Sequence, residues 1–131
     1  MRYICLAYVG EEGWNAMTES QRNAALNEVF AYRDELRASG HLLVAEGLQN
    51  AQNAATLRVV NGKVSVTEGP YVETKERIGG LYVLEARDLN HAIQLMSKHP
   101  LVRAGGVEIR AAAETAPMVE ASRERGAAAK R

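Results

Sequence analysis

The segment Arg2–Val9 (RYICLAYV) is apolar almost without interruption, and it constrains this chain more than any other stretch. In an extended strand Tyr3, Cys5 and Ala7 point one way while Ile4, Leu6 and Tyr8 point the other, so both faces ask for cover. Leu81–Leu84 (LYVL) has the same character. Each large apolar side chain left in water forgoes about 1.5–3 kcal/mol. The remaining sequence offers two amphipathic helices, enough for one face of a sheet. A second sheet, brought face to face by a two-fold related copy, is the simplest cover for the other face; loops or the C-terminal tail are the alternative.

The order of elements follows from local signals. Thr18 opens a helix, with Gln21 placed to complete a capping box. Ala25, Val29, Tyr32 and Leu36 recur at helical spacing, Leu26 and Phe30 widen the stripe, and Gly40 ends it. His41–Leu48 reads as a strand. Thr56–Val60 and Lys63–Thr67 flank Asn61-Gly62, a strong signal for a tight hairpin. Leu81–Glu85 is a further strand, Asp88 caps a helix carrying Leu89, Ala92, Ile93 and Met96, Pro100 ends it, and Val107–Arg110 is the last strand. The expected class is therefore α+β: a ferredoxin-like split βαβ with an added hairpin, and two helices on one face of an antiparallel sheet. Residues 1–112 form this domain. Residues 113–131 form an alanine-rich, charged tail in which Pro117 can begin a short helix, one expected to be ordered only through contact with the body or a partner.

Composition removes several functions. Sixteen basic and sixteen acidic residues in a chain of 131 cancel, so direct nucleic-acid binding is not expected. No apolar stretch approaches the ~20 residues of a membrane span, and the N-terminus lacks a leader pattern; the expectation is a cytoplasmic protein. Cys5, the lone cysteine, reads as a buried structural thiol. His41 and His99 lie near expected helix ends, where a cation complements the dipole, and His91 falls on a polar helix face. None has the spacing of a metal pair, and no phosphate-binding glycine pattern is present. No metal and no cofactor are expected.

Thr67-Glu68-Gly69-Pro70-Tyr71-Val72-Glu73-Thr74-Lys75-Glu76, followed by Gly79-Gly80-Leu81-Tyr82, resembles the YCII-related family, and more narrowly its branch named for an Asp-Gly-Pro-Phe motif. The opening through Trp14, the segment Ala45-Glu46-Gly47-Leu48 and the closing Gly106–Arg110 agree, so the resemblance spans about residues 1–112. It implies a ferredoxin-like fold and a homodimer of facing sheets, the dimeric α/β-barrel arrangement. It assigns no general activity, and it suggests a connection with extracytoplasmic-function sigma factors. Here Glu68 replaces the motif's Asp and Tyr71 its Phe. The helix-1 histidine of shorter members falls near Val29 or Phe30, so a His–Asp mechanism is not carried over.

The Glu68–Arg77 loop is the richest polar cluster. Gly69 and Pro70 fix a turn. Tyr71, Glu73 and Lys75, two apart, share a direction if the segment is extended, with Thr74 pointing away. An enzyme built here would transfer protons without a cofactor: Glu73 or Glu68 as base, Lys75 as electrostatic partner, Tyr71 as orienting hydroxyl. Trp14, Gly69, Pro70, Gly79 and Gly80 are the candidate ligand-binding residues. Plainer readings stand beside these: a solvated charged loop, a strand-entry bulge at Gly79-Gly80, and Trp14 packed under its own loop. A small-molecule-binding protein, enzymatic or not, and a non-catalytic regulatory module associated with a sigma factor are the two functional expectations.

Overall fold

A computed structural model describes residues 1–130. β1 (Arg2–Gly10) runs straight into a short helix, α1 (Glu11–Ala16), whose first turn carries Glu11 and Glu12. The capping box forms as its residues dictate: the Gln21 amide donates to Thr18 Oγ1 at 3.1 Å and the Thr18 amide to Gln21 Oε1 at 2.9 Å. It starts α2 (Glu19–Ala38). Then come β2 (Leu42–Gly47), a 3₁₀ turn at Ala51–Asn53, and the hairpin strands β3 (Ala55–Val60) and β4 (Lys63–Glu68). Asn61 (φ 52°) and Gly62 (φ 78°) both turn left-handed, as a two-residue type I′ hairpin requires. β5 (Glu76–Glu85), α3 (Leu89–Ser97), α4 (Leu101–Ala104), β6 (Gly105–Ala111) and α5 (Ala116–Ala129) complete the chain.

Four strands make one antiparallel sheet in the order β2-β5-β1-β6, and β3 pairs only with β4. The odd positions of β1 lie opposite the even positions of β5, Tyr3 against Leu84 and Cys5 against Tyr82. These side chains meet Leu36 of α2 and Ala92 and Met96 of α3 in the core. Cys5 is fully buried, which pushes its thiol up to about 11 and leaves it a structural residue. On the opposite face Ile4, Leu6, Leu81 and Val83 are only partly buried.

The dimeric α/β-barrel expectation is corrected here. The sheet neither closes nor curls: β2 and β6 are edges, each paired on one side only. Closure demands strand tilt and stagger carried round a full set of paired strands, and the hairpin that follows β2 pairs with itself instead of extending the sheet. What stands is a mixed fold of helices and an antiparallel sheet. Two smaller corrections concern local structure. Trp14 lies within α1 and not in a loop, and β5 begins at Glu76, so Gly79-Gly80 fall inside a strand. Pairing steps from Gly80 opposite Ala7 to Ile78 opposite Tyr8, leaving Gly79 as the extra residue of a bulge. A Cβ on Gly79 would come within 2.7 Å of Val9 Cγ2. The tail does form a helix, α5, with Pro117 in its first turn, and none of its residues is buried.

Candidate functional site

The loop joining β4 to β5 is held by backbone and short side chains. Gly69, at φ +103°, turns the chain so that its amide donates to the Ala54 carbonyl at 2.7 Å. The Thr56 hydroxyl donates to the Gly69 carbonyl at 2.8 Å, and Arg58 Nη2 donates to the Tyr71 carbonyl at 3.3 Å. The Arg58 guanidinium also sits 4.5 Å from the centre of the Tyr71 ring, a cation–π contact. Further on, the Thr74 hydroxyl donates to the Glu76 carbonyl. Every tether before Thr74 runs to the hairpin side, so β3 fixes where the loop stands.

Between this loop, the segment after β2 and the end of β1 lies a cleft of about 650 Å³. Leu48, Pro70, Tyr71, Val72 and Ile78 give it apolar walls, while Asn50, Thr74, Glu76, Arg77 and the Tyr8 phenol supply polar groups. Arg77 Nε lies 3.2 Å from Glu11 Oε1 at the start of α1, so a pair that is partly shielded from water anchors one wall.

The sequence-derived residues divide. Pro70 and Tyr71 line the cleft, and Thr74, expected to point away from the row of Tyr71, Glu73 and Lys75, lines it as well. Glu73 and Lys75 are exposed and are not among the lining residues. Glu68 ends β4 facing solvent, Gly69 sets the turn, and Gly79 and Gly80 run below in β5. Trp14 is part of α1, away from the lining. Tyr8, Asn50, Glu76 and Arg77 are among the lining residues that were not singled out from the sequence as site residues. For Tyr8, Glu76 and Arg77 the signal is the register: β1 and β5 pair so that Val9 faces Arg77 and Gly10 faces Glu76, which brings the loop's charged end to the β1–α1 corner.

A second cleft, of about 630 Å³, lies between the end of α2 and α3. In it the His41 and His91 rings meet edge to face at 4.9 Å. His41 Nδ1 donates to the Glu85 carbonyl at 3.0 Å, and His91 Nδ1 accepts the Arg87 amide at 3.1 Å. Desolvation first, then Arg87 and His41, holds His91 below its ordinary range. Among the described residues no three His, Cys, Asp or Glu side chains cluster as a bound metal would require. His99 departs from its expected role at a helix end. It is buried between Tyr82 and Tyr32, ring centres 4.9 and 5.5 Å away. Its Nδ1 accepts the Leu101 amide at 3.1 Å, and burial together with nearby Arg33 pushes it down to about 4. Because Nδ1 accepts, the proton of the neutral ring sits on Nε2, which has no hydrogen-bond partner among the described residues.

Comparison with known proteins places this architecture. The model of the YCII-related domain matches residues 1–116, and the chain belongs to the YCII-related family. The barrel superfamily attached to the sequence resemblance falls with the open sheet. An uncharacterized protein of Rhizobium meliloti (strain 1021) is 29% identical over 93 residues, 71% of this chain and 75% of that protein. Among solved structures, a 5-chloro-2-hydroxyhydroquinone dehydrochlorinase from Burkholderia phenoliruptrix, in complex with 2,5-dihydroxybenzoquinone, superposes with a TM-score of 0.51 at 14% identity. That superposition covers 86% of this chain and 94% of the dehydrochlorinase, and at such identity it speaks for the fold alone. Among the described residues no helix is long and apolar enough to cross a membrane.

Proposed function

We propose that this chain binds a small molecule in the cleft beside the Glu68–Arg77 loop and that any turnover there is proton transfer without a cofactor. The observation that carries this reading is that Pro70 and Tyr71, the centre of the most distinctive sequence motif, line a concavity of about 650 Å³. The family and the fold likeness to a dehydrochlorinase that was captured with a quinone lend support. In this reading Tyr71 orients the ligand. Glu68, Glu73 and Lys75 serve as general base and electrostatic partner only if the loop folds inward on binding, since all three side chains face solvent without ligand. Glu76 is the carboxylate already at the cleft. The test is a fragment screen by amide NMR on the whole protein. Shifts centred on Asn50, Tyr71 and Thr74 are expected; a hit set that perturbs only the His41–His91 cleft would move the site elsewhere.

One observation favours a second reading, a non-catalytic regulatory module associated with a sigma factor. Leu57, Val59, Val64 and Val66 form an apolar strip on the β3–β4 hairpin that is 64 to 70% exposed, as a docking surface would be. Pairing with a second copy is proposed on related grounds: the second face of the sheet leaves Ile4, Leu6, Leu81 and Val83 partly open to water. Light scattering at micromolar concentration tests the homodimer, and a mass of one chain would end it.

A further inference from the structure

Tyr71 presents an anomaly inside the cleft. Its side chain is 70% exposed, yet it is held from several directions. Arg58 alone grips it twice, with one nitrogen on its carbonyl at 3.3 Å and the guanidinium 4.5 Å from the ring centre. The turn just before it is tied by the Gly69 amide and the Thr56 hydroxyl. Loop tyrosines left in water ordinarily keep their rotamer freedom; this one has been placed. Arg58 reaches it from the polar face of β3, opposite Ser65 in the ladder, so the cation stands on the hairpin side of the ring.

We propose that Tyr71 is a stacking platform and that the cleft selects an electron-rich planar ring bearing hydroxyl groups, a phenol or dihydroxybenzene. This inference rests on the reading of the cleft as the ligand site. An aromatic face is negative, and two such faces repel when stacked squarely. A guanidinium on one face draws density toward itself, which leaves the free face of Tyr71 a better partner for an electron-rich ring than for an electron-poor one. The remaining polar groups suit hydroxyls. Glu76, the Asn50 amide oxygen and the Thr74 hydroxyl oxygen, whose own proton is given to the Glu76 carbonyl, accept a hydroxyl proton, while Arg77 can donate to the hydroxyl oxygen. Arg77 with its partner Glu11, Glu76 and the Arg58 guanidinium on Tyr71 sum to zero formal charge around the cleft, so a neutral ring is admitted. The apolar contacts from Leu48 and Ile78 favour a flat ligand edge over a solvated polar chain.

The experiment measures binding of three probes of similar size to the whole protein by titration calorimetry, with amide NMR locating each. The probes are hydroquinone, 1,3-dinitrobenzene as a flat electron-poor ring, and cyclohexane-1,4-diol, which has hydroxyls but no ring. Hydroquinone should bind about tenfold or more tightly than either other probe, and Arg58→Gln should weaken it by about three- to fivefold. Arg58→Lys, which keeps the cation, should recover part of that loss. Circular dichroism and thermal melts confirm that each variant folds. Tyr71→Phe should retain binding, and Tyr71→Ala should lose it. Equal binding of the diol or the dinitrobenzene at the same residues overturns the ligand class and leaves the cleft as a binding site. Full affinity in a folded Arg58→Gln variant overturns the platform. Absence of shifts at Asn50 and Thr74 with all three probes overturns the cleft reading, and this inference with it.

Discussion

On the helix-facing side of the four-stranded sheet, Tyr3, Cys5, Tyr82 and Leu84 are at most 3% exposed, whereas on the hairpin Leu57, Val59, Val64 and Val66 are 64 to 70% exposed. Both regions are regular antiparallel ladders of apolar and β-branched residues, so strand propensity does not separate them. Their surroundings do. The sheet has α2 and α3 laid over one face. The hairpin turns its polar face toward the molecule, with Thr56 and Ser65 half-buried and Arg58 on Tyr71. Half-solvated antiparallel strands ordinarily do the reverse, and an isolated hairpin is marginal in water. The difference teaches that the sheet carries the stability of the chain, while the hairpin serves as a bracket for the motif loop and spends its apolar face on the outside.

The sharpest way to break that comparison is a pair of truncations. Leu84→Ala removes a fully buried side chain and should cost about 2–5 kcal/mol in urea unfolding. Val66→Ala, 66% exposed, should cost less than about 0.5 kcal/mol. A comparable cost at both positions would mean that the hairpin strip is covered in solution, and the two regions would then differ in partner and not in purpose.

A second distinction can be drawn with pH. His99 belongs to the sheet side, and its value falls from an ordinary 6.5 to about 4 on folding. Between those values the unfolded chain holds a proton that the folded chain refuses. Stability contributed by the neutral ring is therefore complete above about pH 6.5 and declines toward pH 4, by at most about 3 kcal/mol. Unfolding measured at intervals from pH 7 to 5 should show this slope, and His99→Asn, which cannot titrate, should flatten it. An unchanged slope in the variant would place the acid sensitivity elsewhere.

How much of this could be read in advance depended on whether the signal was local. The Thr18 cap, the Asn61-Gly62 turn and the Leu36 and Met96 stripes each declare themselves within a few residues. Thr18→Ala should accordingly cost about 1 kcal/mol by leaving the Gln21 amide unsatisfied, and a loss below about 0.3 kcal/mol would show that the box adds nothing to this helix. The open sheet was not legible, because strand closure depends on pairings between segments far apart in sequence. His99 was misplaced for the same reason: burial by Tyr32 and Tyr82 comes from two other elements. For the site, Pro70 and Tyr71 were recognisable from their motif. Tyr8 and Arg77 emerge only from the β1–β5 register, and the one-residue bulge at Gly79 shifts that register just where the cleft begins.

The smallest expected effect is on the motif loop itself. Glu73 and Lys75 are exposed, and among the described residues neither makes a salt bridge or a side-chain hydrogen bond. Exposed ion pairs contribute little even when they form, so Glu73→Gln and Lys75→Met should each change unfolding free energy by less than about 0.5 kcal/mol. That neutrality is what makes these positions informative. If the loop folds over a bound ring, the same substitutions should weaken binding or slow turnover while the melting curve stays in place, and the bracket and its cargo would be separable. If ligand affinity is as indifferent as stability, Glu73 and Lys75 are solvated charges that keep the loop in water. The chemistry of the cleft would then rest on Tyr71, Glu76 and Arg77 alone.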